Sequence, residues 1–105
     1  MSDSRISKLQ DFLSRSPEDP FLVHALALEW VKLGDEEKAR ELFEKNRTVR
    51  PEYVATYYHL GKLLERVGDT ESAVNIYSEG MTQAKASGDN HSYNELQGAH
   101  DELAY

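Results

Sequence analysis

YVATYYHLGKLLERVGDTESAVNIY, residues 53–77, reads as an apolar helix, a tight turn and a second apolar helix. Tyr57, Leu60, Gly61 and Leu64 follow one another at spacings of 3, 1 and 3, which puts them on one face of a helix with 3.6 residues per turn. Such a face must be buried. Gly68 and Asp69 then break the run, because glycine takes the positive φ needed just past a helix end and aspartate caps the next helix start. Ala73, Ile76 and Tyr77 resume the apolar pattern. The stretch predicts a helical hairpin.

Upstream, Val23, Leu26, Ala27 and Trp30 in residues 20–33 repeat the spacing of Tyr57, Leu60, Gly61 and Leu64. A shift of 34 residues pairs Leu26 with Leu60, Gly34 with Gly68, Asp35 with Asp69, Glu37 with Glu71, Ala39 with Ala73 and Pro17 with Pro51. A fixed period of this kind marks stacked units, each burying its open face on its neighbour. Ahead of them, polar residues 1 to 3 precede a stripe of Ile6, Leu9, Phe12 and Leu13. By the same period, residues 4–16 match the second half of a unit and predict a capping helix. Prolines 17 and 20 enclose two acids in SPEDP, a turn suited to opening the next helix. Downstream, Lys85 stands where the period places a proline, so the helix from Asp69 is expected to run to about Ser87. After Ser87-Gly88-Asp89-Asn90, the residues Tyr93, Leu96, Ala99, His100 and Leu103 predict a last helix. Its other faces are polar, as the end of a stack requires.

The residues so arranged resemble the tetratricopeptide repeat family. Its pattern W-x2-L-G-x2-Y, A-x3-F, P is met by Tyr57, Leu60, Gly61, Leu64, Ala73 and Tyr77, and one period earlier by Val23, Leu26, Ala27, Trp30, Ala39, Phe43 and Pro51. The resemblance covers residues 20–87 directly. It implies an all-α, right-handed superhelix of about six antiparallel helices, in one domain spanning residues 1–105. Its parts are an N-terminal capping helix (4–16), a first repeat (20–53), a second repeat (54–87) and a C-terminal capping helix (89–104).

Composition narrows the function. A net charge of −7 and pI near 5.0 disfavour nucleic acid, whose phosphates call for surplus lysine and arginine, and an anionic membrane surface. Without cysteine there is no disulfide framework and no thiolate nucleophile or ligand. The amino-terminal MSDSRISKLQ has no apolar signal core, and no segment nears the roughly 18 apolar residues of a membrane span. The expected location is cytoplasmic. No phosphate loop, nucleophile elbow or serine–histidine–acid set stands out, so a non-enzyme with no cofactor is expected. His24 and His59 lack a second ligand at helical spacing, and His91 with Glu95 on the last helix is the nearest approach to one. No metal site is therefore expected.

A binding role remains. Small residues Ala27 and Gly61 mark close helix approach, and Trp30, Tyr57 and Tyr77 lie on core stripes. A second stripe, Phe21, His24, Leu28 and Val31, turns to another side of its helix, and its copy is Ala55, Tyr58, Lys62 and Glu65, with Arg66 beside it. The resemblance implies that this side lines a concave groove for a peptide. Phe21, His24, Leu28, Tyr58, Lys62 and Arg66 are thus the groove candidates, with an apolar partner side chain near Phe21 and Leu28 and a carboxylate near Lys62 or Arg66. The lysine and asparagine clamp of the heat-shock chaperone-binding members is replaced by His24 and Leu28, which argues against that ligand. The expected function is a non-catalytic adaptor or scaffold for a protein or peptide partner. The alternatives are a self-assembling homodimer in which a terminal helix of one copy fills the groove of another, and an accessory subunit of an enzyme or chaperone complex.

Overall fold

The computed structural model describes residues 2–104, which form six α-helices: α1 (Ser2–Arg15), α2 (Pro20–Lys32), α3 (Glu36–Val49), α4 (Ala55–Arg66), α5 (Thr70–Ser87) and α6 (Asn90–Ala104). Of residues 1 to 3, expected ahead of the first helix, Met1 lies outside the described residues, and α1 already begins at Ser2.

Aspartates start four of the helices. Asp19 Oδ1 accepts from the backbone N–H of Phe21 at 3.0 Å, Asp35 Oδ1 from Lys38 at 3.1 Å and Asp69 Oδ1 from Ser72 at 3.2 Å. Each acceptor satisfies an N–H that has no partner inside the helix. Asp89 does the same for α6, taking the Ser92 N–H at 3.0 Å and the Ser92 hydroxyl at 2.7 Å. Those two bonds hold its carboxyl below the usual aspartate range. The helix ends repeat as well: Asp35 N–H donates to Trp30 O at 2.9 Å and Asp69 N–H to Leu64 O at 2.8 Å. That reach of five residues needs left-handed backbone, which Gly34 and Gly68 supply with φ of 80° and 86°.

The helices group into two compact units, one ending at Arg50 and the other starting at Pro51. In the N-terminal unit, α1 and α3 pack on α2. Ile6, Leu9 and Leu26 form a buried cluster, with Leu13, Leu22, Trp30 and Leu42 packed on it, and Val23, Ala27, Ala39 and Phe43 are completely buried. Two expectations need correction here. Phe12 is 48% exposed: α2 covers the line through Ile6, Leu9 and Leu13, and Phe12 lies about 90° off the centre of that line at 100° per residue. Trp30 is only partly buried, because its indole forms the edge of the cluster.

Three polar side chains are buried in this unit. Glu29, 4% exposed, receives the Arg5 Nε at 2.9 Å from α1 and the Lys32 ammonium at 3.3 Å. Asn46 donates its amide to Pro20 O at 2.9 Å, tying α3 to the start of α2. The His24 ring meets the Phe43 ring at 5.8 Å between centroids.

In the C-terminal unit α5 packs on both α4 and α6, and α4 also touches α6. The core is Tyr57, Leu60, Ala73, Tyr77, Ala84 and Leu96, all at zero exposure. Glycine makes the contacts possible. A Cβ on Gly61 would overlap the Tyr77 ring, and one on Gly80 would come within 2.5 Å of Tyr57 Cβ. The two tyrosines therefore each lie against a glycine of the facing helix. Tyr57 also donates its hydroxyl to Pro51 O at 2.6 Å, closing the turn that leads into α4. As the missing proline implied, α5 runs to Ser87.

Candidate functional site

Helix α4 turns Thr56, Tyr57, Leu60, Gly61, Leu63 and Leu64 inward. Tyr58, Lys62 and Glu65, at spacings of 4 and 3 along the helix, share a partly exposed stripe beside that core. The Lys62 ammonium lies 5.4 Å from the Tyr58 ring centroid and 3.6 Å from Glu65 Oε2. The same Glu65 oxygen accepts the hydroxyl of Tyr77, which reaches it from α5. Burial first, and then this bond to a carboxylate, push the Tyr77 hydroxyl well above the usual tyrosine range. It stays a donor at any physiological pH. Glu65 is thus tied to the core from below, and Lys62 is held between a carboxylate and an aromatic face.

His59 stands next to this stripe, its ring edge-on to Tyr58 at 5.6 Å. Burial lowers its pKa most, the Arg66 cation adds to the lowering, and Glu95 of α6 opposes it. The imidazole is accordingly neutral at pH 7. Arg66 is exposed in the last turn of α4, where a cation also suits the negative helix end.

On α2, Phe21 is 64% exposed in the first turn and Leu28 is half-buried. These two keep apolar surface open to solvent. His24 is 8% exposed with its ring against Phe43, so little more than an edge of it faces outward. Of the six residues singled out by sequence, Tyr58 and Lys62 are the pair brought into direct contact. Glu65 was not among the six, yet it orders Lys62. Spacing put Glu65 on the stripe, but the bond that anchors it comes from Tyr77, 12 residues on in another helix, and no local spacing announces it.

Among the described residues no group of three histidines, cysteines or acids is placed to hold a metal ion, and no helix is long and apolar enough to cross a membrane. No protein-family model and no curated protein matches the chain. Solved structures do. The crystal structure of a tetratricopeptide repeat domain protein from Salinibacter ruber is 41% identical with a TM-score of 0.79, over 82% of this chain and 97% of that one. The chain belongs to the tetratricopeptide repeat family. A solution NMR structure of a tetratricopeptide repeat domain protein from Salinibacter ruber agrees, at 42% identity and a TM-score of 0.80 over 83% of this chain and 88% of that one. The TPR2B domain of yeast Sti1, solved in complex with pHsp70, is 17% identical and superposes with a TM-score of 0.89 over 98% of this chain and 82% of its own. At that identity the likeness concerns the fold, the all-α solenoid of tetratricopeptide repeat proteins.

Proposed function

We propose that this tetratricopeptide repeat protein is a non-catalytic interaction module, an adaptor that binds a segment of a partner protein on the outward face of α4. In this reading residues 20–53 and 54–87 are the two repeats, capped by 4–16 and 89–104. The observation that carries it is the Tyr58–Lys62–Glu65 array, three side chains ordered by one another and by Tyr77 while remaining partly open to solvent. Ordering in advance lowers the entropy lost when a ligand docks. Lys62 and Arg66 of α4 suit a carboxylate of the partner; Phe21 and Leu28 of the other unit offer a separate apolar surface. The complex formed by the Sti1 domain with pHsp70 supports the use of this fold for such binding.

Affinity recovery from the native organism, read by mass spectrometry, tests the proposal with the Tyr58→Ala/Lys62→Ala double variant against the unaltered chain. The variant is expected to keep its helical circular dichroism and lose the partner. Equal recovery by both proteins excludes the α4 face.

A further inference from the structure

The N-terminal unit carries a second surface that the α4 face does not use. Trp30, the chain's single tryptophan, occupies the place of Leu64 one period later, yet Leu64 is 2% exposed and Trp30 remains partly open. Its indole forms one wall of an open cleft of about 340 Å³, lined also by Gln10 of α1, Leu26 of α2, and Lys38, Glu41 and Leu42 of α3. Leu26 and Leu42 belong to the apolar cluster beneath. The Lys38 ammonium stands 4.3 Å from the centre of the indole ring and 3.7 Å from the Asp35 carboxylate, with its side chain 56% exposed. Gln10 and Glu41 are exposed at the cleft.

An indole face attracts cations more strongly than any other aromatic side chain. Lys38 demonstrates that attraction here, but a lysine ammonium is compact, well hydrated and carried on a flexible stem. A guanidinium is planar and more weakly hydrated, stacks on aromatic rings, and pairs with a carboxylate through two parallel hydrogen bonds. An arginine from outside is therefore the better occupant of the Trp30 face, with the Glu41 carboxylate as its partner and the Leu26–Leu42 surface beside it for an apolar neighbour. The exposed Glu41 carboxylate at the cleft supplies the local counter-charge for a guanidinium. We propose that this cleft is a second docking site, for an arginine adjacent to a leucine-sized residue in a partner segment, and that Lys38 is its displaceable internal occupant.

The probe is acetyl-Arg-Leu-amide, with acetyl-Gln-Leu-amide as the uncharged control, titrated while Trp30 fluorescence and the indole N–H resonance are followed. The arginine dipeptide is expected to shift the indole saturably and to bind about fivefold more tightly than the control, the difference typical of one cation–π contact in an open cleft. Lys38→Met keeps the aliphatic stem and removes the competitor, so it should tighten binding roughly threefold; Glu41→Gln should weaken it by a similar factor. Circular dichroism checks that both variants fold, and the Tyr58→Ala/Lys62→Ala variant should bind the dipeptide as the unaltered chain does, which separates this cleft from the α4 face. Equal response to the two dipeptides, an indole that never moves, or unchanged affinity in either variant overturns the proposal.

Discussion

The two units are copies of one 34-residue pattern that solve the same packing problem with different chemistry. In the N-terminal unit three polar groups are buried, Glu29, Asn46 and His24, and each meets a partner: the cations of Arg5 and Lys32, the carbonyl of Pro20, the ring of Phe43. One period later the same positions hold Leu63, Gly80 and Tyr58. There the helices approach through glycine, with Gly61 under Tyr77 and Gly80 under Tyr57. The charges differ too: residues 51–105 carry three basic side chains, Lys62, Arg66 and Lys85, against nine acidic ones, whereas residues 1–50 carry nine against ten. The comparison teaches that the repeat pattern prescribes where helices touch, while the contact itself can be polar and partnered or small and tightly interlocked.

Exchanging residues across the 34-residue offset tests whether the two interiors are interchangeable. Leu63→Glu puts a carboxylate at a site 1% exposed with no counterpart of Arg5, and it should cost more than about 3 kcal/mol. Thermal melts should show the loss, and hydrogen exchange should report it first in α4 and α5; a native melting curve would mean that the unit can supply its own counter-ion.

Gly61→Leu comes next. It drives a branched side chain into the buried Tyr77 ring, with an expected loss of about 3 kcal/mol and a fall in Tm of roughly 10 °C or more. An unchanged Tm removes the close-packing assignment. Gly80→Asn, which imports the residue found at position 46, should cost about 2 kcal/mol by the same overlap with Tyr57, and a neutral result would show that the two interiors are interchangeable there.

The reverse exchange sharpens the contrast. Arg5 and Lys32 are mostly solvated, at 63% and 68% exposure, so Glu29→Leu leaves no buried cation behind and should be neutral or stabilise by about 1 kcal/mol. Chemical denaturation measures it, and a marked loss of stability would show that the ion pair orients α1.

The smallest effect is in pH. Because the folded state lowers the His59 pKa, by burial and then by Arg66, the unfolded chain takes up the proton first as pH falls. The stability from neutral His59 is complete above about 6.5, the value of a free histidine, and declines as pH drops through the folded pKa. Tm should fall modestly between pH 7 and pH 5, and His59→Gln should flatten that part of the profile. A slope unchanged by the substitution assigns it to another group.

Much of the fold was legible from local signals. Helix starts follow from Asp19, Asp35 and Asp69, the turns from Gly34 and Gly68, the length of α5 from Lys85 in place of a proline, and the buried stripe of α4 from its spacing. All of these depend on backbone preferences within a few residues. The proposed binding face was less legible. Spacing placed Tyr58 and Lys62 on a stripe of α4 and His24 on the matching stripe of α2, but the ring of His24 is taken up by Phe43.

Local signals alone gave the period, the turns at Gly34 and Gly68 and the inward-facing stripe of α4, since φ preferences, caps and the 3.6-residue turn act along the chain. Only the tertiary structure decided which side chain of one helix meets which of another. It tied Glu65 to Tyr77, put Gly80 against Tyr57, left Phe12 outside the α1–α2 contact and set Lys38 over Trp30. Such contacts depend on how two helices are rotated and offset against each other, and no local spacing encodes that geometry.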